Sequence, residues 1–247
     1  MNSKIVCVYS VLMALILGSC EDSGTMSADG SLSSSSGEGL SSSSVLSSSS
    51  VTKDWFNAVI SYGSMTDSRD NQVYKTVVIG TQTWMAENLN YTPSSGNFWC
   101  YKHFASNCAI YGRLYDWSTV MAGSASSDAS PSGVQGICPS GWHIPSSAEW
   151  TVLRDYVGGA STAGTKLKAN SSLWETNTGT DDYGFSALPG GYCRSGFNGV
   201  GSLGGWWLVP TDSSPNSYLW DMYGDLADAS LSYYATTYGF SLRCVKN

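Results

Sequence analysis

The sequence predicts an α+β domain that follows an exported leader. Helical periodicities occur in the first half of the domain, and after Asp181 they give way to short apolar segments separated by glycines. This segregation favours helices packed against antiparallel strands over repeated β-α units. Only 13% of the residues are charged and another 13% are aromatic. Such a composition indicates short strands and ordered loops rather than long surface helices.

The first residues carry the features of a lipoprotein signal. Lys4 provides a positive n-region, and the apolar run 5–17 is shorter than the roughly 20 residues of a spanning helix. The run closes with Leu17-Gly18-Ser19-Cys20, which is typical of a lipobox. We therefore expect a signal peptide over residues 1–19 and a mature chain that begins at a lipidated Cys20. An ordinary secretory signal with a chance cysteine is the alternative.

The leader implies attachment to a membrane through lipid, where two or more acyl chains hold a protein stably. The acidic pair Glu21-Asp22 is similar to export signals of surface lipoproteins. We expect an outer-membrane lipoprotein at the cell surface, with a periplasm-facing orientation as the alternative. Residues 20–50 are rich in serine after this pair. Because this composition buries little apolar surface, it predicts a flexible tether.

Residues 51–247 have the length of one domain with a sizeable core. The chain carries a net charge of −7 and has no basic cluster. Nucleic acid is therefore excluded as a partner, because its phosphates would be repelled.

Three helices are predicted in the first half of the domain. Leu114, Trp117 and Met121 recur on one helical face, which predicts a short helix over 113–121. Ser146 and Glu149 form a capping box for a second helix that ends at Gly158. A third, weaker pattern covers residues 162–168.

Strands are predicted mainly near the two ends of the domain. The segment 73–79 is rich in β-branched residues and is bounded by turn residues, and 83–85 continues it as a hairpin. The later apolar segments separated by glycines are predicted as short antiparallel strands: 184–188, 205–209, 217–222 and 239–245.

Five cysteines lie in the domain, where disulfides are expected outside the cytoplasm. Pairing four of them allows about 15 arrangements. We favour Cys100–Cys108, which closes a short loop, and Cys138–Cys244, which closes a long one. By chain entropy the long loop would contribute about 4–5 kcal/mol. Cys193 is then expected to stay unpaired, either buried or exposed and reactive.

No set of residues predicts catalysis or a metal centre. His103 and His143 are the only histidines, and His143 is expected to be packed and hydrogen-bonded. The segment around Ser186 begins like a nucleophile elbow, but Leu188 stands where the second glycine belongs. The aspartates lack the spacing of a calcium loop. No cofactor is therefore expected, with a structural calcium ion on loop carbonyls as an alternative.

Five segments of the domain follow one another in an order that is typical of a known family. They are 67–89, 111–115, 138–145, 183–192 and 239–245. Over roughly residues 60–246 they resemble the Fibrobacter major paralogous domain. The resemblance implies a secreted or lipid-anchored protein with a serine-rich linker and no established biochemical activity. Cys193 and the segment 208–210 depart from the family pattern, which puts in doubt any function transferred through the second segment.

The family is distantly similar to C-type-lectin-like and formylglycine-generating-enzyme folds. The similarity lies in a cysteine before a capped helix, Cys138, and a terminal strand that carries its partner, Cys244. It implies a C-type-lectin-like domain and is a further reason for this disulfide. The calcium and sugar motifs of classical C-type lectins are missing, as is the second redox cysteine of formylglycine-generating enzymes.

Aromatic residues on glycine-rich segments remain as the candidate binding surface, because flat rings suit the apolar faces of sugars. The candidates are Tyr192, Trp206, Trp207, Tyr218 and Trp220. Strand alternation would turn one of Trp206 and Trp207 inward and the other outward; core packing of most of these rings is the alternative. We expect a binding or adhesion module for polysaccharide or another envelope protein. A structural envelope protein and an enzyme of unknown class are the alternatives.

Overall fold

The computed structural model describes residues 53–176, 178–209 and 216–247. Its strands are β1 (Gly63–Thr66), β2 (Val73–Ile79), β3 (Gln82–Met85), β4 (Phe98–Trp99), β5 (Leu114–Tyr115), β6 (Trp142–His143), β7 (Gly190–Cys193), β8 (Phe197–Val200), β9 (Leu203–Trp207), β10 (Asn216–Tyr223), β11 (Ser230–Ala235) and β12 (Val245–Lys246). Its α-helices are α1 (Ala105–Tyr111), α2 (Trp117–Met121), α3 (Ser147–Tyr156) and α4 (Ala160–Leu167). The expected signal peptide, Cys20 and the tether lie outside the described residues.

The largest sheet has five strands in the order β1-β2-β3-β12-β6, and each neighbouring pair is antiparallel. The hairpin of β2 and β3 was predicted from the β-branched run and the turn after it, and Val77 pairs with Trp84 in it. The short strand β12 lies between β3 and β6, so the end of the domain is part of the sheet. Helices combined with antiparallel strands confirm the α+β class.

A second sheet has the order β11-β10-β9, with β10 in the centre. Alternate residues of β10 contribute to two different core clusters. Leu219 packs in one cluster, while Trp220 and Met222 pack in the other. Because β10 is covered on both faces, its side chains have far less access to solvent than those of a strand with one solvated face.

The prediction of one continuous strand over 239–245 is wrong. The structure has β12 at its end, preceded by single bridges that pair Tyr115 with Phe240, Cys193 with Gly239, and Trp206 with Ser241. This segment joins several small sheets in turn, so its apolar residues are buried without forming one ladder. The predicted strand over 184–188 is likewise only a bridge at Ala187.

The helix predictions hold best where a cap is present. The Ser146 hydroxyl accepts from the Glu149 N–H and the Glu149 carboxylate accepts from the Ser146 N–H, which forms the predicted capping box of α3. The helix expected over 113–121 is shorter: Asp116 caps α2, and strand β5 takes the residues before that cap. The periodicity that predicted the longer helix came from buried residues of both elements.

Both favoured disulfides, Cys100–Cys108 and Cys138–Cys244, are present in the structure. The second joins the loop before β6 to the last strand region, across a sequence separation of 106 residues. The expectation that Cys193 stays unpaired is wrong. Cys193 is fully buried and disulfide-bonded.

Lys168 fixes the turn between β10 and β11 although its side chain is fully buried. Its ammonium donates to the carbonyls of Tyr223 (2.7 Å) and Leu226 (2.6 Å) and to the Thr178 hydroxyl (2.6 Å), with Gly224 O at 3.2 Å. Burial lowers its pKa, and the nearby Asp225 and Asp228 oppose that effect. A lysine in this position stabilises the turn because it supplies donors to carbonyls that helix and sheet leave free.

Replacement of Lys168 by Met should lower the free energy of unfolding by roughly 2–4 kcal/mol, because buried carbonyls lose their donor. Denaturant unfolding of the full chain measures this loss. Lys166→Met, two residues earlier in the chain, is the matched control, since Lys166 is only partly buried. Equal stability of the two variants would contradict the structural role of Lys168.

Candidate functional site

The three tryptophans among the predicted binding residues lie in the core. Trp206 and Trp207 are fully buried and Trp220 is 2% exposed. The expected alternation between an inward and an outward ring is therefore wrong for Trp206 and Trp207. Their side chains do point to opposite faces of β9, but each face packs against its own core cluster. None of these three indoles can stack on a ligand at the surface.

The contacts of these tryptophans are those of core residues. The Trp206 indole donates to Asn88 Oδ1 at 2.7 Å, and the Trp207 indole donates to the Tyr115 carbonyl at 2.8 Å. Trp220 stacks on Trp150 with ring centroids 5.7 Å apart. Replacement of any of them would leave a cavity and cost stability. Loss of binding in such a variant would therefore not locate a site.

The two predicted tyrosines are partly exposed, but the structure does not bring them together. Tyr218 belongs to the face of β10 that holds Trp220, and its ring lies 4.9 Å from that of Tyr233 on β11. Tyr192 on β7 instead packs against the cluster of the opposite face. The five predicted residues therefore separate into a buried set and two surface positions.

Tyr192 is part of a layer of rings that we call the tyrosine surface, defined as Tyr192, Tyr223, Tyr234 and Tyr238. The rings of Tyr192 and Tyr238 are stacked at 5.8 Å, and Tyr234 meets Tyr238 edge-on at 5.6 Å. Phe240 lies beneath them and is fully buried. Of these four tyrosines only Tyr192 was among the five predicted binding residues. Tyr223, Tyr234 and Tyr238 were not.

The hydroxyl groups of the tyrosine surface lie close enough to influence one another. Burial raises the pKa of Tyr234, and the Tyr223 hydroxyl and the nearby Asp221 and Tyr192 raise it further. Phenolic hydroxyls donate and accept hydrogen bonds, while their rings offer apolar faces. This combination can bind a ligand that has hydroxyl groups and an apolar face.

Histidine does not form a catalytic set in the described residues. His143 is 1% exposed, and its ring nitrogens lie 2.7 Å from Glu149 Oε1 and 2.7 Å from Asn247 Oδ1. Glu149 Oε2 accepts from the Ser132 and Ser146 N–H groups. Both nitrogens are thus occupied inside the protein, as expected for a packed histidine.

The segment resembling a nucleophile elbow is also buried. Ser186 has a φ of 51° and no exposed surface, and its hydroxyl lies 2.7 Å from Asp181 Oδ2 and 3.0 Å from the Tyr62 hydroxyl. Burial raises the pKa of Asp181 to about 6, against the lowering effects of Ser186 and Arg243. A serine enclosed in this way holds the chain in place and is out of reach of a substrate.

Two further features bear on ligands and membranes. In the described ranges no three or more His, Cys, Asp or Glu side chains are grouped so that they could hold a metal ion. Over the same ranges no helix has the length and apolar character needed to cross a bilayer.

Comparison with known protein families assigns the domain to one of them. The model of the Fibrobacter succinogenes major domain matches residues 77–246, which is more than half of the chain. The chain belongs to this family. No curated protein and no solved structure shows significant similarity to it.

The Fibrobacter succinogenes major domain begins within β2 and ends within β12. It therefore contains both disulfides, the tyrosine surface and the buried tryptophans. Membership confirms the resemblance drawn from the five sequence segments. It does not assign a chemistry to any residue, so a function for this domain has to be argued from the geometry of the chain itself.

The contact between His143 and Glu149 in this family domain should make stability depend on pH. Hydrogen bonds and charge from Glu149 raise the pKa of His143 above 6.5 although burial opposes them, and His143 lowers the pKa of Glu149 below 4.5. The stabilising effect of His143 is complete below pH 6.5 and is lost as pH rises through its raised pKa. That of Glu149 is complete above pH 4.5 and is lost as pH falls.

Unfolding of wild type and His143→Gln across pH 5 to 9 measures this effect. The free energy of unfolding of the wild type should fall more steeply above pH 6.5 than that of the variant. The difference between the two curves isolates His143 from the buried aspartates, which titrate in both proteins. Parallel curves would show that the pair is not charged in the folded state.

Proposed function

We propose that this chain is a lipid-anchored outer-membrane protein that displays a carbohydrate-binding domain at the cell surface. The leader with Cys20, the serine-rich residues up to 50 and the family membership support the envelope location. The observation that supports binding is the tyrosine surface, in which partly buried rings and their hydroxyls lie side by side. The proposed partners are the membrane, through the lipid, and a polysaccharide.

A C-type-lectin-like fold is part of this proposal. The Cys138–Cys244 disulfide supports it, because it connects the segment before the capped helix α3 to the last strand region. The domain would differ from classical C-type lectins in how it binds sugar. Its binding would depend on tyrosine rings and polar groups, since the usual calcium motifs are missing from the sequence.

Weak binding at one domain fits display on a membrane. By analogy with bases on aromatic side chains, one well-placed ring contributes about 1–3 kcal/mol. This gives low affinity for a single sugar, but many lipid-anchored copies on one surface would bind a polymer together. A flexible tether would let neighbouring domains reach different segments of the same polymer.

The lipid anchor predicts that a fatty-acid analogue labels the chain in cells and that Cys20→Ser abolishes labelling. Cys7→Ser is the matched control and should label like wild type, because Cys7 lies in the leader that is removed. The sulfur of Cys20 can form a thioether to lipid or a disulfide, but not both. An unlabelled wild type with a peptide linking Cys20 to Cys193 would contradict the anchor.

Carbohydrate binding predicts that the full chain, purified in mild detergent, is retained by at least one of a set of immobilised glucans, xylans, mannans and galactans. Tyr192→Ala should weaken this retention at least about fivefold, because a ring of the tyrosine surface is lost. Tyr156→Ala is the control: Tyr156 is 56% exposed and lies on α3, away from this surface. Near-UV circular dichroism confirms that both variants are folded.

Absence of retention of the wild type on every polysaccharide would contradict the proposed function. In that case the alternative of a structural envelope protein gains support. If Tyr192→Ala and Tyr156→Ala weaken retention equally, the tyrosine surface is not the site.

A further inference from the structure

Asp221, near the end of strand β10, is a buried carboxylate without a hydrogen-bond partner. It is 2% exposed, and neither of its oxygens meets a donor at hydrogen-bond geometry among the described residues. Burial raises its pKa to about 6, although the Ser232 hydroxyl acts to lower it. Gly205 and Ser230 lie opposite it on the neighbouring strands, so small residues flank the carboxylate.

A second buried aspartate shows what a structural carboxylate looks like in this fold. Asp181 also has a pKa raised to about 6, but its oxygens accept from the Ser186 N–H and hydroxyl, both at 2.7 Å. The Ser232 hydroxyl lies close enough to Asp221 to lower its pKa, but it meets neither carboxylate oxygen at hydrogen-bond geometry. An unpartnered buried charge is costly, and such groups concentrate at functional sites. The difference between the two aspartates therefore points to a donor that comes from outside the protein.

Asp221 lies on the side of the sheet that carries the tyrosine surface. Leu219, Asp221 and Tyr223 alternate along β10 and so share one face. Leu219 belongs to the core cluster against which Tyr192, Tyr234 and Tyr238 pack. The negative charge of Asp221 also acts on the Tyr234 hydroxyl. The carboxylate and the phenolic hydroxyls thus belong to one site.

The same face carries a second unpartnered polar atom. Ser217 is 1% exposed and its hydroxyl has no partner in the described part of the chain. It lies four residues before Asp221, with Leu219 between them. Two buried polar groups without a partner at hydrogen-bond geometry among the described residues thus lie on one face of β10.

We propose that Asp221 anchors the carbohydrate site by accepting hydrogen bonds from two neighbouring hydroxyls of an uncharged sugar ring that lies against the tyrosine surface. This inference rests on the proposed function and identifies the residue that makes the polar contact to the sugar. Two carboxylate oxygens suit two neighbouring hydroxyls, each of which brings one donor. The apolar C–H face of the same sugar would pack on a tyrosine ring.

Charge favours an uncharged ligand over an ionic one. An anionic sugar would be repelled by Asp221, with Asp228 nearby and a chain of net charge −7. A cationic ligand would compete with the protein itself, because the Arg194 guanidinium already lies 5.2 Å from the centroid of the Tyr238 ring. Hydroxyl donors satisfy the carboxylate without introducing a further charge.

Tyr223 is the exposed neighbour of Asp221 on this face of β10. It is 36% exposed and is two residues from Asp221 on the same face. The side chain of an exposed residue changes rotamer within nanoseconds, so rotation of this ring would admit a ligand without opening the sheet. The backbone of Tyr223 stays fixed meanwhile, since its carbonyl accepts from Lys168.

Asp221→Asn tests this inference, with Asp225→Asn as the matched control. Both variants lose one negative charge in the same hairpin, but Asp225 is exposed. The full chain in detergent is applied to the polysaccharide that retains the wild type, and its unfolding by denaturant is measured. We expect Asp221→Asn to weaken retention at least about tenfold, because charged acceptors form the stronger hydrogen bonds.

The unfolding midpoint should rise in Asp221→Asn, because an unpaired buried charge is removed. Retention and midpoint should both stay near wild type in Asp225→Asn. Loss of retention with a lower midpoint would indicate a purely structural role and overturn the inference.

If Asp221→Asn is retained as strongly as the wild type, the proposed contact with Asp221 is overturned. The proposed function still stands in that case if Tyr192→Ala is retained less strongly than the wild type. A wild type that binds no polysaccharide overturns both. Titration with tetramethylammonium provides the last comparison. Binding of this cation at the tyrosine surface would show that the site takes a cationic ligand and would overturn the inference of a hydroxyl ligand. No binding of tetramethylammonium is expected.

Discussion

The buried guanidinium of Arg243 is the interaction on which the rest of the structure depends. Its side chain is fully buried, and it donates to Asn88 Oδ1 at 2.8 Å, to the Ser186 carbonyl at 2.9 Å and to the Phe185 carbonyl. Its planar group also lies 4.2 Å from the centroid of the Phe185 ring. Burial lowers the pKa of Arg243 to about 9, with Asp181 opposing this, so the group remains charged at neutral pH. A charge held inside a protein requires this many partners, and their positions are fixed as a result.

This network connects the last strand region to the tryptophan core. Asn88 accepts from both Arg243 and the Trp206 indole, and its own amide donates to the Tyr111 carbonyl at 2.7 Å. Next to Arg243, Cys244 forms the disulfide to Cys138. The Trp206 indole is thus held in the interior. The tyrosines of the tyrosine surface lie at the edge of the core, where their hydroxyls tolerate water.

The sequence predicted features that depend on near neighbours in the chain and missed those that depend on distant ones. Strand β2 and the capping box at Ser146 follow from local residue patterns, and both are present. The alternation argument for Trp206 and Trp207 failed because it assumed one solvated face, whereas the sheet is covered on both sides. The positions of Lys168 and Arg243 could not be predicted, because most of their acceptors are backbone carbonyls more than fifty residues away in sequence.

The hydrogen bonds of the other buried charged groups in this domain can be compared with those of Asp221. Lys168 and Arg243 contact several acceptors each, and Asp181 receives two donors from Ser186. The fold therefore satisfies charges where they serve structure. Asp221 departs from this rule on the face of β10 that also carries Tyr223. The carboxylate of Asp221 is buried without a donor at hydrogen-bond geometry in the described part of the chain, and the proposed hydroxyl ligand would supply the missing hydrogen bonds.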